Sequence, residues 1–144
     1  MALITGNGKW YRASLRLMGD GLPAGDIEGM LGIKPSSLGI KGKHINDDPR
    51  KATYSTNIWT LRSGTSSDVP FDEQITLLLD LIEPNLGVIE KLLADPTNEG
   101  ELFLGFGSDN GQGGGFLPQQ LLRRIAEFGL SIDLDLYPPG DEDD

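Results

Sequence analysis

The only histidine of this chain lies in the most obvious candidate for a chemical site. His44 is followed closely by Asp47 and Asp48. An imidazole near two carboxylates can bind a metal ion or act as a general base. A metal site needs three ligands of suitable geometry, however, and the chain has no cysteine to supply a thiolate. One histidine beside two acids is common by chance, so we predict no catalytic or metal site here.

A pair of carboxylates near the end of the chain is the second candidate. Asp133 and Asp135 occupy alternate positions, which places them on one face of a strand. Such pairs perform acid-base chemistry when their environments are unequal and partly buried. The surrounding alternation predicts an exposed face, so we interpret both residues as surface charges.

Two glycine-rich segments could be taken for phosphate-binding loops. Residues 5–9 lack the spacing of a P-loop, and the segment after Gly105 and Gly107 is one residue too long for a dinucleotide fingerprint. The later cluster is typical of a flexible turn, although a loop that closes over a ligand remains an alternative. Its members are Gly111, Gly113, Gly114 and Gly115.

Charge is divided unevenly along the 144 residues. Residues 1–62 carry 9 basic and 5 acidic side chains, whereas residues 63–144 carry 3 and 17, which together give the net charge of −10. Since one histidine and no cysteine leave little material for catalysis, we expect recognition of a partner rather than an enzyme. We predict no cofactor.

The basic stretch of the first half is interleaved with aromatic residues, a pattern that can bind nucleic acid. A net charge of −10 opposes this by repelling a polyanion. An alternative is a ligand-binding cleft or metal-dependent active site between the loop 41–51 and the glycine hairpin, with Lys41, Lys43, His44 and Trp59 as its residues. Tyr54 and Trp59 could also serve a homodimer. The full basic stretch comprises Lys34, Lys41, Lys43, His44, Arg50, Lys51 and Arg62.

Apolar periodicity defines the elements that must position these residues. It predicts a helix over 23–31, a long helical segment that Pro84 interrupts before it ends at residue 94, and a helix over 118–128 whose core face includes Leu122. Alternation predicts strands over 11–18, 38–45, 54–62, 102–106 and 132–137, with a glycine hairpin at 107–115 leading into a short strand at 116–117.

The order β-α-β-β-α-β-(β)-α-β predicts an α+β fold with an antiparallel or mixed sheet, helices on one face and a ferredoxin-like arrangement. That arrangement places the last strand beside the first, so Arg12 and Arg16 would lie opposite Asp133 and Asp135. The predicted organisation is a lead-in over 1–10, one domain over 11–137 and an acidic tail, expected to be disordered, over 138–144. With neither a secretory leader nor a membrane-spanning apolar run, we expect a cytoplasmic protein without membrane contact.

Short sequence motifs follow one another in a characteristic order at 14–20, 27–35, 41–43, 58–61, 121–129 and 132–137. In the order of these motifs, the chain resembles the bacterial family known as domain of unknown function 4279. This resemblance implies a small stand-alone α+β domain and brings no established activity or catalytic residues. The Pro84 interruption and the long glycine segment depart from the family pattern and leave the pairing of the middle strands open.

The net negative charge and the lack of catalytic or metal-binding motifs together favour a non-enzymatic binding protein of the bacterial cytoplasm. An example is an immunity or inhibitor protein that docks onto a basic toxin or nuclease and associates rapidly through electrostatic steering. We expect its contact surface on the interrupted helix, at Asp72, Glu73, Asp80, Glu83 and Glu90.

Overall fold

The computed structural model of the chain describes residues 8–139 and is centred on a long strand, β1 (Lys9–Gly19). Strict alternation gives this strand two different faces. Ala13, Leu15 and Leu17 are completely buried on one face, and the arginines of the strand lie on the other. β1 begins at Lys9, two residues before the predicted strand.

The sheet has five strands in the order β2-β3-β1-β4-β5. The first four strands pair antiparallel, while β4 and β5 are parallel, so the sheet is mixed and the predicted α+β class is confirmed. The bounds of the other strands are β2 Ser37–Gly39, β3 Asn57–Arg62, β4 Glu99–Ser108 and β5 Ser131–Tyr137.

Helices pack against one face of this sheet. The predicted interruption at Pro84 is confirmed, because this residue lies in a 3₁₀ turn, Glu83–Asn85, that separates two helices. The buried apolar side chains of all the helices belong to one cluster with those of the sheet. The helices are α1 Ile27–Leu31, preceded by a 3₁₀ turn Ala24–Asp26, then α2 Phe71–Ile82, α3 Leu86–Ala94 and α4 Gln119–Glu127.

The predicted pairing of the last strand with the first is wrong. β5 lies beside β4, because α4 forms the crossover that parallel neighbours require, and β1 already has β3 and β4 on its two sides. Asp133 and Asp135 thus pair with β4 positions rather than with β1. Arg16 instead lies opposite Glu101, with Nε 3.4 Å from Oε2. The ferredoxin-like arrangement is not confirmed.

The glycine-rich segment after β4 is not a hairpin, since it leads directly into α4. The short strand predicted at 116–117 is absent from the described chain, and Phe116 is 74% exposed. β2 is also shorter than predicted, and the ring of Tyr54 packs against its last residue, Gly39. A 3₁₀ turn, Ile45–Asp47, follows instead of a continued strand.

One buried side chain from α2 completes the hydrogen bonding of β1. β3 ends before it reaches the first residues of β1, and the amide of Gln74 fills the place of the missing strand. Its Nε2 donates to the carbonyl oxygens of Tyr11 and Val69 at 2.9 and 2.8 Å. Its Oε1 accepts from the Ala13 N–H at 2.9 Å and from the Ser63 hydroxyl at 2.8 Å. Gln74 is therefore a polar residue that the core requires.

Trp10 is buried on the face of the sheet opposite the helices. Its indole lies across β4 at Gly105 and Gly107, and a Cβ at Gly107 would collide with the ring. The ring of Tyr137 packs beside it with centroids 4.9 Å apart. The two glycines therefore provide space for the tryptophan.

Residues 1–7 and 140–144 lie outside the described chain. Most of the predicted lead-in and most of the predicted acidic tail fall on them. Within residues 8–139, no helix is both long and apolar enough to cross a lipid bilayer.

Candidate interaction surface

The exposed side of α2 combines apolar and acidic residues. Glu73, Leu77 and Leu81 follow one another at intervals of four, so they form one stripe along the helix. Leu77 is 41% exposed and Leu81 is 45% exposed. Helical geometry places Asp80 beside this stripe, where its side chain is 63% exposed. The surface therefore has an apolar centre with acidic neighbours.

Two of the predicted contact residues already have a cation within the chain. Arg124 of α4 donates from Nη2 to Asp80 Oδ1 and Glu83 Oε1, both at 2.6 Å. One guanidinium thus serves two carboxylates, which leaves an excess of negative charge. The shared contact also ties α4 to α2. This role of Arg124 could not be predicted from the sequence, because α2 and α4 are distant along the chain.

The other three predicted residues are not neutralised in this way. No basic side chain within residues 8–139 forms an ion pair with Asp72, Glu73 or Glu90. Asp72 and Glu73 lie in the first turn of α2, where negative charge also stabilises the helix through its dipole. Glu90 is exposed on α3. The five predicted residues therefore lie on three consecutive helical elements.

The basic loop between β2 and β3 is held together by its own contacts. Lys41 Nζ donates to Asp20 Oδ2 at 2.8 Å, and this hydrogen bond lowers the pKa of the Asp20 carboxyl. Arg50 forms a similar pair with Asp48, whose pKa is lowered mainly by the Arg50 hydrogen bond. His44 donates from Nδ1 to the carbonyl oxygen of Lys51 at 2.7 Å. Several charges of this loop therefore serve its own conformation.

The basic loop and the glycine segment, between which a ligand-binding cleft is the alternative prediction, lie near opposite ends of β1. Lys41 is anchored beside the carboxyl end of β1, whereas Gly113 contacts Lys9 at the other end of that strand. The 11 residues of β1 separate the two segments by roughly 30 Å. Lys43 and His44 are exposed in the basic loop, but Trp59 is fully buried in the core. Trp59 therefore cannot contact a ligand at the surface.

Side chains that could bind a metal ion do not cluster within the described residues. Residues 8–139 contain no group of three or more histidine and acidic side chains that could hold an ion. Asp133 and Asp135 lie on the face of β5 away from the helices. Asp133 is exposed and Asp135 is half-buried.

Glu101 is a partly buried acidic residue on the helix-free face of the sheet. Arg16 stacks on the Phe103 ring at 3.6 Å and lies beside Glu101. Burial raises the pKa of Glu101, and Arg16 opposes this effect, while Asp133 and Glu99 add to it. The folded protein therefore holds the Glu101 proton more tightly than the unfolded chain does.

This raised pKa predicts a pH dependence of stability. The contribution of Glu101 is most favourable below its usual pKa of 4.5 and is lost as the pH rises through the folded pKa. We therefore compare the free energy of unfolding of Glu101→Gln with that of the wild type at each pH. The difference, variant minus wild type, should be more positive at pH 7 than at pH 4. Urea denaturation at both values tests this, with Glu28→Gln as an exposed control. If this difference instead became more negative at pH 7, the ion pair with Arg16 would outweigh the effect of burial on Glu101.

The helix-side face of β5 is much more exposed than its alternation predicts. Ile132, Leu134 and Leu136 are 37%, 59% and 68% exposed, because α4 does not cover this edge of the sheet. Leu122 of α4 is also 44% exposed, so its predicted place in the core is wrong. Next to β5 is an apolar groove of about 430 Å³, lined by Phe71, Leu104, Phe106, Leu117, Leu134 and Leu136, with Tyr137 and the glycine segment.

These features define a small α+β domain with a mixed five-stranded sheet, one helical layer and acidic exposed surfaces. The chain belongs to the family described as Domain of unknown function (DUF4279), whose model matches residues 9–139. The resemblance inferred from the sequence is thus confirmed over most of the chain. Searches of curated proteins and of solved structures found no match.

Proposed function

We propose that this protein is a non-enzymatic binding protein that docks onto a basic protein partner through the outer face of α2. The observation that carries this proposal is the pair Leu77 and Leu81, exposed beside Glu73 and Asp80. An apolar centre with a charged rim is the usual composition of a protein interface. The centre supplies affinity when it is desolvated, and the rim selects the partner.

The charges on and around α2 favour a cationic partner. Asp72, Glu73 and Glu90 are not neutralised by the described chain, and Arg124 compensates only part of the charge of Asp80 and Glu83. Opposite charge on the partner accelerates encounter, and the effect weakens as salt screens the field. A single large acidic field of this kind also repels nucleic acid.

An immunity or inhibitor role in the bacterial cytoplasm agrees with these properties. A toxin or nuclease that acts on nucleic acid needs a cationic surface, and an acidic protein can occupy that surface in place of the substrate. The inhibitor itself then needs no catalytic group and no cofactor. We therefore place the protein among neutralising partners rather than among enzymes.

The test is capture of a partner from cells of the natural host, followed by measurement of its association rate. We expect one stoichiometric basic protein whose association slows at least tenfold between about 50 and 300 mM salt. Glu73→Lys combined with Leu77→Ala should weaken this association at least tenfold.

Glu28→Lys, an exposed change of the same charge on α1, is the matched control and should bind nearly as the wild type does. An association rate that does not depend on salt concentration would contradict docking through α2. Equal weakening of binding in the control and in the α2 variant would contradict it as well. Failure to capture any basic protein would contradict the function itself.

A further inference from the structure

β5 forms one edge of the sheet and is long enough to serve as a template. Its 7 residues pair with β4 on one side, and none of residues 8–139 pairs with the other side. The opposite edge, β2, has only 3 residues. An exposed strand edge offers a row of backbone donors and acceptors to an incoming chain. β5 lacks the lysine, proline and bulge that commonly protect such edges.

The side chains of β5 present different chemistry on the two faces of the sheet. Leu134 and Leu136 border the apolar groove on the helix side and remain more than half exposed. Asp133 and Asp135 lie on the other face, opposite Phe103 and Gly105 of β4. A strand added to this edge would therefore meet apolar and acidic positions in alternation.

This alternation disfavours a second copy of the same chain. In the antiparallel register that overlaps all of β5, Leu134 would lie opposite itself, and Asp133 would lie opposite Asp135 of the other copy. Like charges directly opposite each other destabilise a strand pair. A strand with basic residues at those positions would instead gain two favourable pairs.

We propose that β5 binds, by strand addition, an extended segment of a partner protein in which apolar residues alternate with basic residues. Backbone hydrogen bonds to the outer edge of β5 at residues 132–136 supply part of the affinity. The apolar side chains of the segment cover Leu134, Leu136 and the groove, and its basic side chains lie opposite Asp133 and Asp135. This site is separate from the α2 surface and does not depend on the function proposed for it.

The test uses three synthetic peptides of nine residues and the complete chain. One alternates lysine with valine, one has the same composition with its lysines grouped together, and one alternates glutamate with valine. We expect the lysine–valine repeat to bind at least tenfold more tightly than either of the others. Amide hydrogen exchange should slow at alternate residues of β5 and remain unchanged in β2.

Charge reversal makes the test independent of backbone changes that could unfold the protein. In Asp133→Lys combined with Asp135→Lys, the preference should invert in favour of the glutamate–valine repeat. Glu28→Lys combined with Glu127→Lys makes the same change in net charge at two other exposed positions and should keep the original preference. Equal binding of the alternating and grouped lysine peptides would overturn the proposal, because it would show attraction by net charge alone.

Two other occupants of the edge give distinct results, and each would overturn the proposal. A second copy would appear as a concentration-dependent dimer in sedimentation, with β5 amides protected before any peptide is added. Peptide binding that appears only after residues 1–7 are deleted would assign the edge to the chain's own N-terminal segment.

Discussion

Replacing Gln74 by leucine should destabilise the fold by about 4 kcal/mol, because a buried polar group left without its partner costs about 1–3 kcal/mol. The substitution keeps an apolar side chain of similar size but removes all four hydrogen bonds of the amide. The Ala13 N–H and the Tyr11 carbonyl, both in β1, would lose a partner in the interior. On that side of β1, the backbone hydrogen bonds from the Tyr11 N–H to Ser67 and from the Ser63 N–H to Ala13 would remain.

The free energy of unfolding in urea measures this effect directly. Gln119→Leu, an exposed substitution of the same type in α4, is the matched control and should change stability by less than about 0.5 kcal/mol. Increased amide exchange at Ala13 in the Gln74 variant would locate the damage. A loss below about 1 kcal/mol would mean that water replaces the amide and that β1 does not require it.

Replacing Trp10 by alanine should cost about 3 kcal/mol, a typical value for removal of a large buried aromatic side chain. Trp10 is 4% exposed although it lies on the face that no helix covers. Gly107→Ala should also destabilise the protein, by about 1–3 kcal/mol, because its new methyl group would displace the indole.

The two changes should not be additive. Once Trp10 is alanine, the added methyl group at residue 107 has space, so the double variant should be more stable than the sum predicts by at least about 1 kcal/mol. Gly25→Ala adds a methyl group where no neighbour lies within 4 Å and serves as the control. Strict additivity of the two effects would show that the indole and Gly107 do not compete for the same space.

Local patterns were sufficient to predict most of the secondary structure. The Pro84 interruption was predictable because proline cannot continue a helix backbone, and Ala13, Leu15 and Leu17 were predictable because alternation defines a buried face. Gln74 was also detectable in principle, since it lies on the same side of α2 as Ile75 and Leu78. A polar residue among buried positions indicates a specific hydrogen-bonding role.

The order of the strands was not predictable in the same way. The glycine segment after β4 permits either a hairpin or a crossover, and only the packing of α4 against α2 selects the crossover. This choice moved β5 away from β1 and gave Arg16 a different acidic neighbour, Glu101. It also left the apolar side of β5 exposed, which alternation alone cannot indicate.

The acidic residues of the candidate surface were predicted from the sequence, but its exposed leucines and the contribution of Arg124 are seen only in the structure. The five acidic residues lie on consecutive helical elements as their sequence positions suggest, yet Arg124 compensates Asp80 and Glu83 from another helix. Leu77 and Leu81 lie outside the core-facing stripe of α2, and only the packing of the helix shows that no other described element covers them. Contacts between distant segments decide both features.

The central place of β1 has a consequence for how the chain is made. Its residues pair with β4, which follows roughly 90 residues later, and contacts of such long sequence separation slow folding. During synthesis, a nascent chain that ends before β4 exposes one whole side of β1 and half of its apolar face to the surrounding proteins. Productive folding must therefore wait until translation has passed residue 108, which makes early truncations and stalled chains the forms most prone to aggregate.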